Sequence, residues 1–127
     1  MVRVERNDKL FDVSNVQFGW LTMSLSGKIF IVSYLTDFLE NMKAILNLSD
    51  ENDCVRLYFD GEGIDLYLTC YLHPYKNRIF IVWEEYGSRV EPDITVLEMD
   101  YDNLCGDIKN WFRKNKRVYD RNFGYLY

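Results

Sequence analysis

Proline is scarce in this 127-residue chain, with two residues, and glycine is modest at seven. Collagen-like repeats and Pro/Gly-rich disorder are thereby excluded. Cysteine occurs three times, at Cys54, Cys70 and Cys105, an odd count with no CxxC spacing. Zinc binding, haem attachment and a disulfide scaffold are therefore not signalled, and three reduced thiols acting as small hydrophobes are expected. The single histidine, His73, stands beside Pro74 and reads as a surface turn residue. No GxSxG elbow, Walker pattern or other phosphate-cradling glycine loop is present, so no nucleophilic triad or nucleotide site is indicated. Long apolar runs are missing too. Nothing approaches the roughly twenty residues of a membrane span, and no apolar run follows Arg3 and Arg6 as a signal peptide requires. A soluble, cytoplasmic protein with no membrane partner is the expectation.

Positive charge is also in short supply. Fifteen Lys and Arg face twenty Asp and Glu, a net charge of -5, and such a chain repels phosphate backbones. The imbalance is uneven. Residues 107–121 hold six basic side chains (Lys109, Arg113, Lys114, Lys116, Arg117 and Arg121) and two acids, leaving the rest at a net -9. No nucleic-acid partner is expected.

What the chain has is β-formers and aromatics, 48% hydrophobic and 17% Phe, Tyr and Trp. That composition supports a single self-sufficient core spanning residues 1–127. A short strand around residues 2–4 and then a polar loop precede a strand over 16–25, with Val16, Phe18 and Trp20 on one face. Ser26-Gly27 marks a turn, and 28–32 the returning strand. Leu35, Phe38, Leu39, Met42, Ile45 and Leu46 form one helical stripe, predicting a helix near 35–48 with Ser33 or Thr36 as N-cap. Alternating patterns predict strands over 55–60, 64–72, 78–86 and 94–100. A second helix near 103–118 follows, capped by Asp102, with Leu104, Ile108, Trp111 and Phe112 on one face. The tail 123–127 is aromatic enough to fold back. The fold class expected is α+β: an antiparallel sheet of about five to six strands in hairpin order, packed by two helices.

Few constellations suggest chemistry. Asp60, Glu62 and Asp65 cluster around two glycines, but the twelve-residue calcium loop with its closing Glu is missing. Glu84 and Glu85 are neighbours on a strand and point to opposite faces, so they cannot flank one glycosidic bond. Trp111 and Phe112 match a buried stripe, which argues against base stacking on the basic helix. No catalytic residue, metal or cofactor is assigned, and an enzyme is not expected. What remains is a pair of acidic patches around Tyr58, Tyr67, Tyr71 and Tyr86. Acidic charge steers a basic protein, and Tyr supplies contact area once it arrives. The expected partner-binding residues are Tyr58, Asp60, Glu62, Asp65, Tyr67, Glu84, Tyr86, Glu91 and Asp93. Apolar residues on both faces of the later strands, Phe80 and Val82 among them, leave room for a homodimer beside a monomer.

The stretch Phe18-Gly19-Trp20-Leu21-Thr22, then Ser33-Tyr34-Leu35-Thr36-Asp37-Phe38-Leu39, resembles small bacterial proteins of polymorphic toxin systems, including contact-dependent inhibition. There an aromatic strand pair leads into a SYLTD-type helix, and later strands end in a segment like Trp83-Glu84-Glu85. The resemblance covers about two-thirds of the chain. It implies a cytoplasmic immunity protein that neutralises a cognate toxin by stoichiometric binding. Such proteins bind through variable surfaces, so no functional residue carries over. The basic C-terminal helix departs from the pattern. An acidic face suits a basic toxin such as a nuclease, and a small adaptor domain of a bacterial cytoplasmic complex is the alternative.

Overall fold

The computed structural model describes residues 9–87 and 91–123, apart from the side chain of Pro74. The suggested strand at residues 2–4 and the tail beyond Phe123 lie outside them. The fold is α+β; among the described residues there are seven strands in two antiparallel sheets and two α-helices. The first sheet has the order β1 (Phe11–Gln17), β2 (Trp20–Leu25), β3 (Lys28–Ser33). Helix α1 (Phe38–Leu46) follows, and then β4 (Cys54–Asp60), β5 (Ile64–His73), β6 (Arg78–Gly87) and β7 (Asp93–Asp100) form the second sheet in chain order. Helix α2 (Tyr101–Asn122) closes the described chain. The sheet expected from the sequence is thus divided in two where α1 interrupts the hairpin succession.

Three hairpins turn on two residues, both with positive φ: Phe18-Gly19, Ser26-Gly27 and Glu62-Gly63. Left-handed turns of this kind match the twist of paired strands, and they fix the register on either side. Phe18 is therefore the tip of a turn, 86% exposed, and not a residue of one strand over 16–25. The polar loop expected before it is largely β1. There Asn15 at φ 53° breaks the register between Ser14 and Gln17, which blurs the period-two pattern a strand shows.

The core lies between the inner faces of the two sheets and the apolar stripes of the helices. Phe38 is its hub, with ring centroids 6.1–6.3 Å from those of Phe11, Phe59, Phe112, Tyr119 and Phe123. Helix α1 starts at Phe38 and not at 35, because Asp37 is the N-cap and accepts from the Glu40 N–H. Thr36 instead accepts the Asp60 N–H at 2.6 Å, tying the helix entry to the end of β4, and Ser33 accepts from the Leu35 N–H. Leu35 is left outside the helix, 53% exposed.

Helix α2 starts two residues earlier than expected. β7 runs directly into it, and Asp100, not Asp102, accepts the Asn103 N–H at 2.8 Å. The helix lies along β1. The Leu10 N–H donates to Asp107 at 2.7 Å, the Trp111 indole N–H to the Val13 carbonyl at 3.0 Å, and the Gly19 N–H to the Asn122 carbonyl at 2.7 Å. At Asn115 the backbone leaves helical geometry, and its side-chain amide bonds back to the Trp111 carbonyl. Beyond that kink the buried stripe continues through Tyr119 to Phe123.

Candidate docking face

Strand residues alternate between faces, and the register of the second sheet fixes which side chains share one. Leu57, Phe59, Leu66, Leu68, Cys70, Ile79, Ile81, Trp83, Leu97 and Met99 point into the core. The opposite face is open to solvent. Its central rows, across β4 to β7, are Arg56–Thr69–Val82–Val96 and Tyr58–Tyr67–Glu84–Ile94, followed by Asp60–Asp65–Tyr86. Six of the nine residues expected to bind a partner therefore meet on one surface: Tyr58, Asp60, Asp65, Tyr67, Glu84 and Tyr86.

They are joined chemically as well as placed together. Tyr58 and Tyr67 have ring centroids 5.2 Å apart, and Tyr67 and Tyr86 6.0 Å. The Tyr58 hydroxyl donates to Asp65 at 2.6 Å and the Tyr86 hydroxyl to Glu84 at 2.7 Å. Each bond holds its phenol protonated, so both Tyr58 and Tyr86 ionise above the ordinary tyrosine range. The sequence reading missed Arg56. Its guanidinium carbon lies 4.5 Å from the Tyr67 ring centre, and its Nη1 lies 3.3 Å from Glu84 and 3.4 Å from the Thr69 hydroxyl. The available signal was its position two residues before Tyr58, on the same face. Farther along, Ile94 and Val96 are 61% and 52% exposed and make one flank of the face apolar.

The other three expected residues lie elsewhere. Glu62 occupies the tip of the β4–β5 hairpin, where its N–H donates to Asp60. Glu91 is exposed in the irregular stretch before β7. Asp93 pairs in register with Glu85, so it faces away from the tyrosines. It bonds Lys28 of β3 at 2.6 Å and the Thr95 hydroxyl at 2.8 Å, which hold its carboxyl below the usual range. The Lys28 ammonium also lies 5.3 Å from the Trp83 ring centre. Asp93 thus helps join the two sheets.

Behind the hairpin tip, a largely apolar groove of about 390 Å³ lies between Trp20, Ile29, Ile31, Gly61, Ile64 and Glu85. A shallower depression of about 540 Å³ at the opposite end of the sheet includes Asp50, Glu51, Asn77 and Tyr101. His73 is not a turn residue. It ends β5 opposite Arg78, half-buried, with its ring steeply inclined to that of Tyr75 at 6.2 Å between centroids. Among the three free cysteines Cys70 is buried as expected, but Cys54 is exposed on the open face. Among the described residues no helix is long and apolar enough to cross a membrane, and no group of three His, Cys, Asp or Glu is placed to hold a metal.

The fold and the surface together define an α+β domain with one face of its larger sheet left open. No known family model, curated protein or solved structure matches the chain.

Proposed function

We propose that this protein is a stoichiometric protein-binding inhibitor, an immunity protein that acts in the cytoplasm and neutralises a basic toxin by covering its working surface. The observation that carries the reading is the open sheet face, where Tyr58, Tyr67 and Tyr86 stand among Asp60, Asp65 and Glu84. Large rigid aromatics give contact area at low entropic cost, and carboxylates around them steer a cationic partner. The face is built before binding, since its phenols and carboxylates are already hydrogen-bonded, which limits the ordering cost of association. A nuclease is a suitable target, because a surface that attracts phosphate also attracts this face.

The test is a growth assay. The C-terminal domain encoded by the reading frame immediately upstream is expressed from an inducible promoter, with and without this protein. Growth arrest relieved by the wild-type protein, and not by the Tyr67→Ala/Glu84→Gln variant, is the expected result. Arrest that the wild type does not relieve overturns the toxin reading. Relief that survives the double substitution removes the tyrosine face from it.

The flank formed by Val82, Ile94 and Val96 favours a second reading, an adaptor domain with a long-lived partner. It gains ground if the upstream product is harmless and a pull-down instead recovers a housekeeping protein whose capture requires Ile94 and Val96.

A further inference from the structure

We propose that the tyrosine row is a guanidinium-binding site occupied in the free protein by its own Arg56, and that an arginine of the partner takes that place on binding. The inference deepens the inhibitor reading, and rests on it for the partner, by naming the side chain the face receives.

Three features make the site. The Tyr67 ring offers a π-face, with Tyr58 on one side at 5.2 Å and Tyr86 on the other at 6.0 Å. Glu84 divides its oxygens, Oε2 accepting from the Tyr86 hydroxyl and Oε1 receiving Arg56. Asp65 accepts the Tyr58 hydroxyl through Oδ1, and Oδ2 has no partner among the described residues. A ring to stack on and carboxylate oxygens on its border suit a flat, forked cation better than a compact ammonium.

The resident cation shows that the geometry accepts a guanidinium, and also that it holds this one loosely. The Arg56 bonds to Glu84 and Thr69 are long, 3.3 and 3.4 Å, and its side chain is 53% exposed. Exposed pairs of this kind contribute little. The second carboxylate, Asp65, makes no bond to Arg56, so its Oδ2 is left for another donor. A partner's arginine entering from solvent can stack on Tyr67 and engage both carboxylates, while Arg56 swings out on its flexible stem. Arg56 is then a competitor, and removing it strengthens binding.

The probes are capped hexaarginine and hexalysine peptides, titrated at physiological salt and followed by amide and tyrosine-ring NMR shifts. Hexaarginine is expected to perturb the Tyr67 ring in the wild type. Arg56→Ala should tighten hexaarginine binding about two- to five-fold, the range of an exposed cation–π contact, without such a gain for hexalysine. Arg78→Ala is the charge control, because Arg78 pairs with Glu98 at 3.2 Å on the same sheet, and it should give a smaller gain. Tyr67→Leu should cancel the Arg56→Ala effect. Equal gains from Arg56→Ala and Arg78→Ala, equal gains for the two peptides, or an unperturbed Tyr67 ring would overturn the proposal. Arg56 is exposed, so its variant is expected to keep the wild-type amide spectrum. Failure of growth rescue with the peptide result intact defeats the toxin reading and leaves the site standing.

Discussion

Replacing Phe38 by alanine tests the packing argument most directly. Its ring is fully buried and lies 6.1–6.3 Å, centroid to centroid, from five others. Those rings come from β1, β4, α2 and the residue just beyond α2, so no one movement can refill the space. Phe→Ala in cores costs about 3–5 kcal/mol, with rigid surroundings at the upper end. A loss near 4 kcal/mol is therefore expected, a large part of the roughly 5–15 kcal/mol that stabilises an ordinary domain. With a urea slope of about 2 kcal/mol per molar, the midpoint should fall by about 2 M at unchanged slope. Trp83 and Trp111 are both buried and report the transition by fluorescence. Phe38→Leu keeps most of the volume and should lose less than about 1.5 kcal/mol. A loss below about 1 kcal/mol for the alanine variant would refute the claim that Phe38 joins the elements into one core.

Three further outcomes are expected. A thiol reagent should label Cys54 rapidly in the native protein and Cys70 only on unfolding, since burial pushes the Cys70 thiol up to about 12; equal rates would refute the assignment of Cys70 to the core. In an ultraviolet titration Tyr58 should ionise after the ordinary tyrosines, and Asp65→Asn should bring it back toward them, because the hydrogen bond to Asp65 is the chief cause of the shift. The raised folded value means that this bond's small contribution to stability is fully present below about pH 10 and is lost as pH rises through the folded value; stability that grows with pH in that range would contradict it. Gly61→Ala should cost about 1–3 kcal/mol in chemical denaturation, because a Cβ there would lie 2.9 Å from the Phe30 ring and 3.0 and 3.2 Å from the Ile64 and Ile31 carbonyls, and an unchanged midpoint would refute that crowding.

The second sheet was legible because its inner and outer residues differ chemically. Leu57, Phe59, Leu66 and Leu68 alternate with Arg56, Tyr58, Asp65 and Tyr67, so the period is visible in the letters. β1 hid because Asn15 breaks its register and because α2, over ninety residues away, provides part of its support. Phe18 misled because an aromatic favours strands, whereas its φ of 51° is set by the turn it shares with Gly19. The helix starts shifted because the capping carboxylates, Asp37 and Asp100, were chosen by tertiary placement among several acids. On the open face of the second sheet, the meeting of Tyr58 with Tyr67 and Glu84 follows from register. Asp93 stands apart from the tyrosine row because nearness in sequence does not decide the face, and its pairing with Glu85 turns it to the other side. Arg56 escaped notice for a similar reason, being a cation in a region read for its acids.

The alternation in β4 to β7 also has a consequence for heredity. The residues that hold the domain together and those that a partner would meet occupy separate positions of the same four strands. A lineage pursuing a changing partner can rewrite Tyr58, Asp65, Tyr67, Glu84 and Tyr86 while leaving Leu57, Phe59, Leu68, Ile81 and Trp83 alone. The coupled substitutions to look for in diverged copies are then Tyr58 with Asp65 and Tyr86 with Glu84, since each phenol and its carboxylate lose their bond if one changes alone.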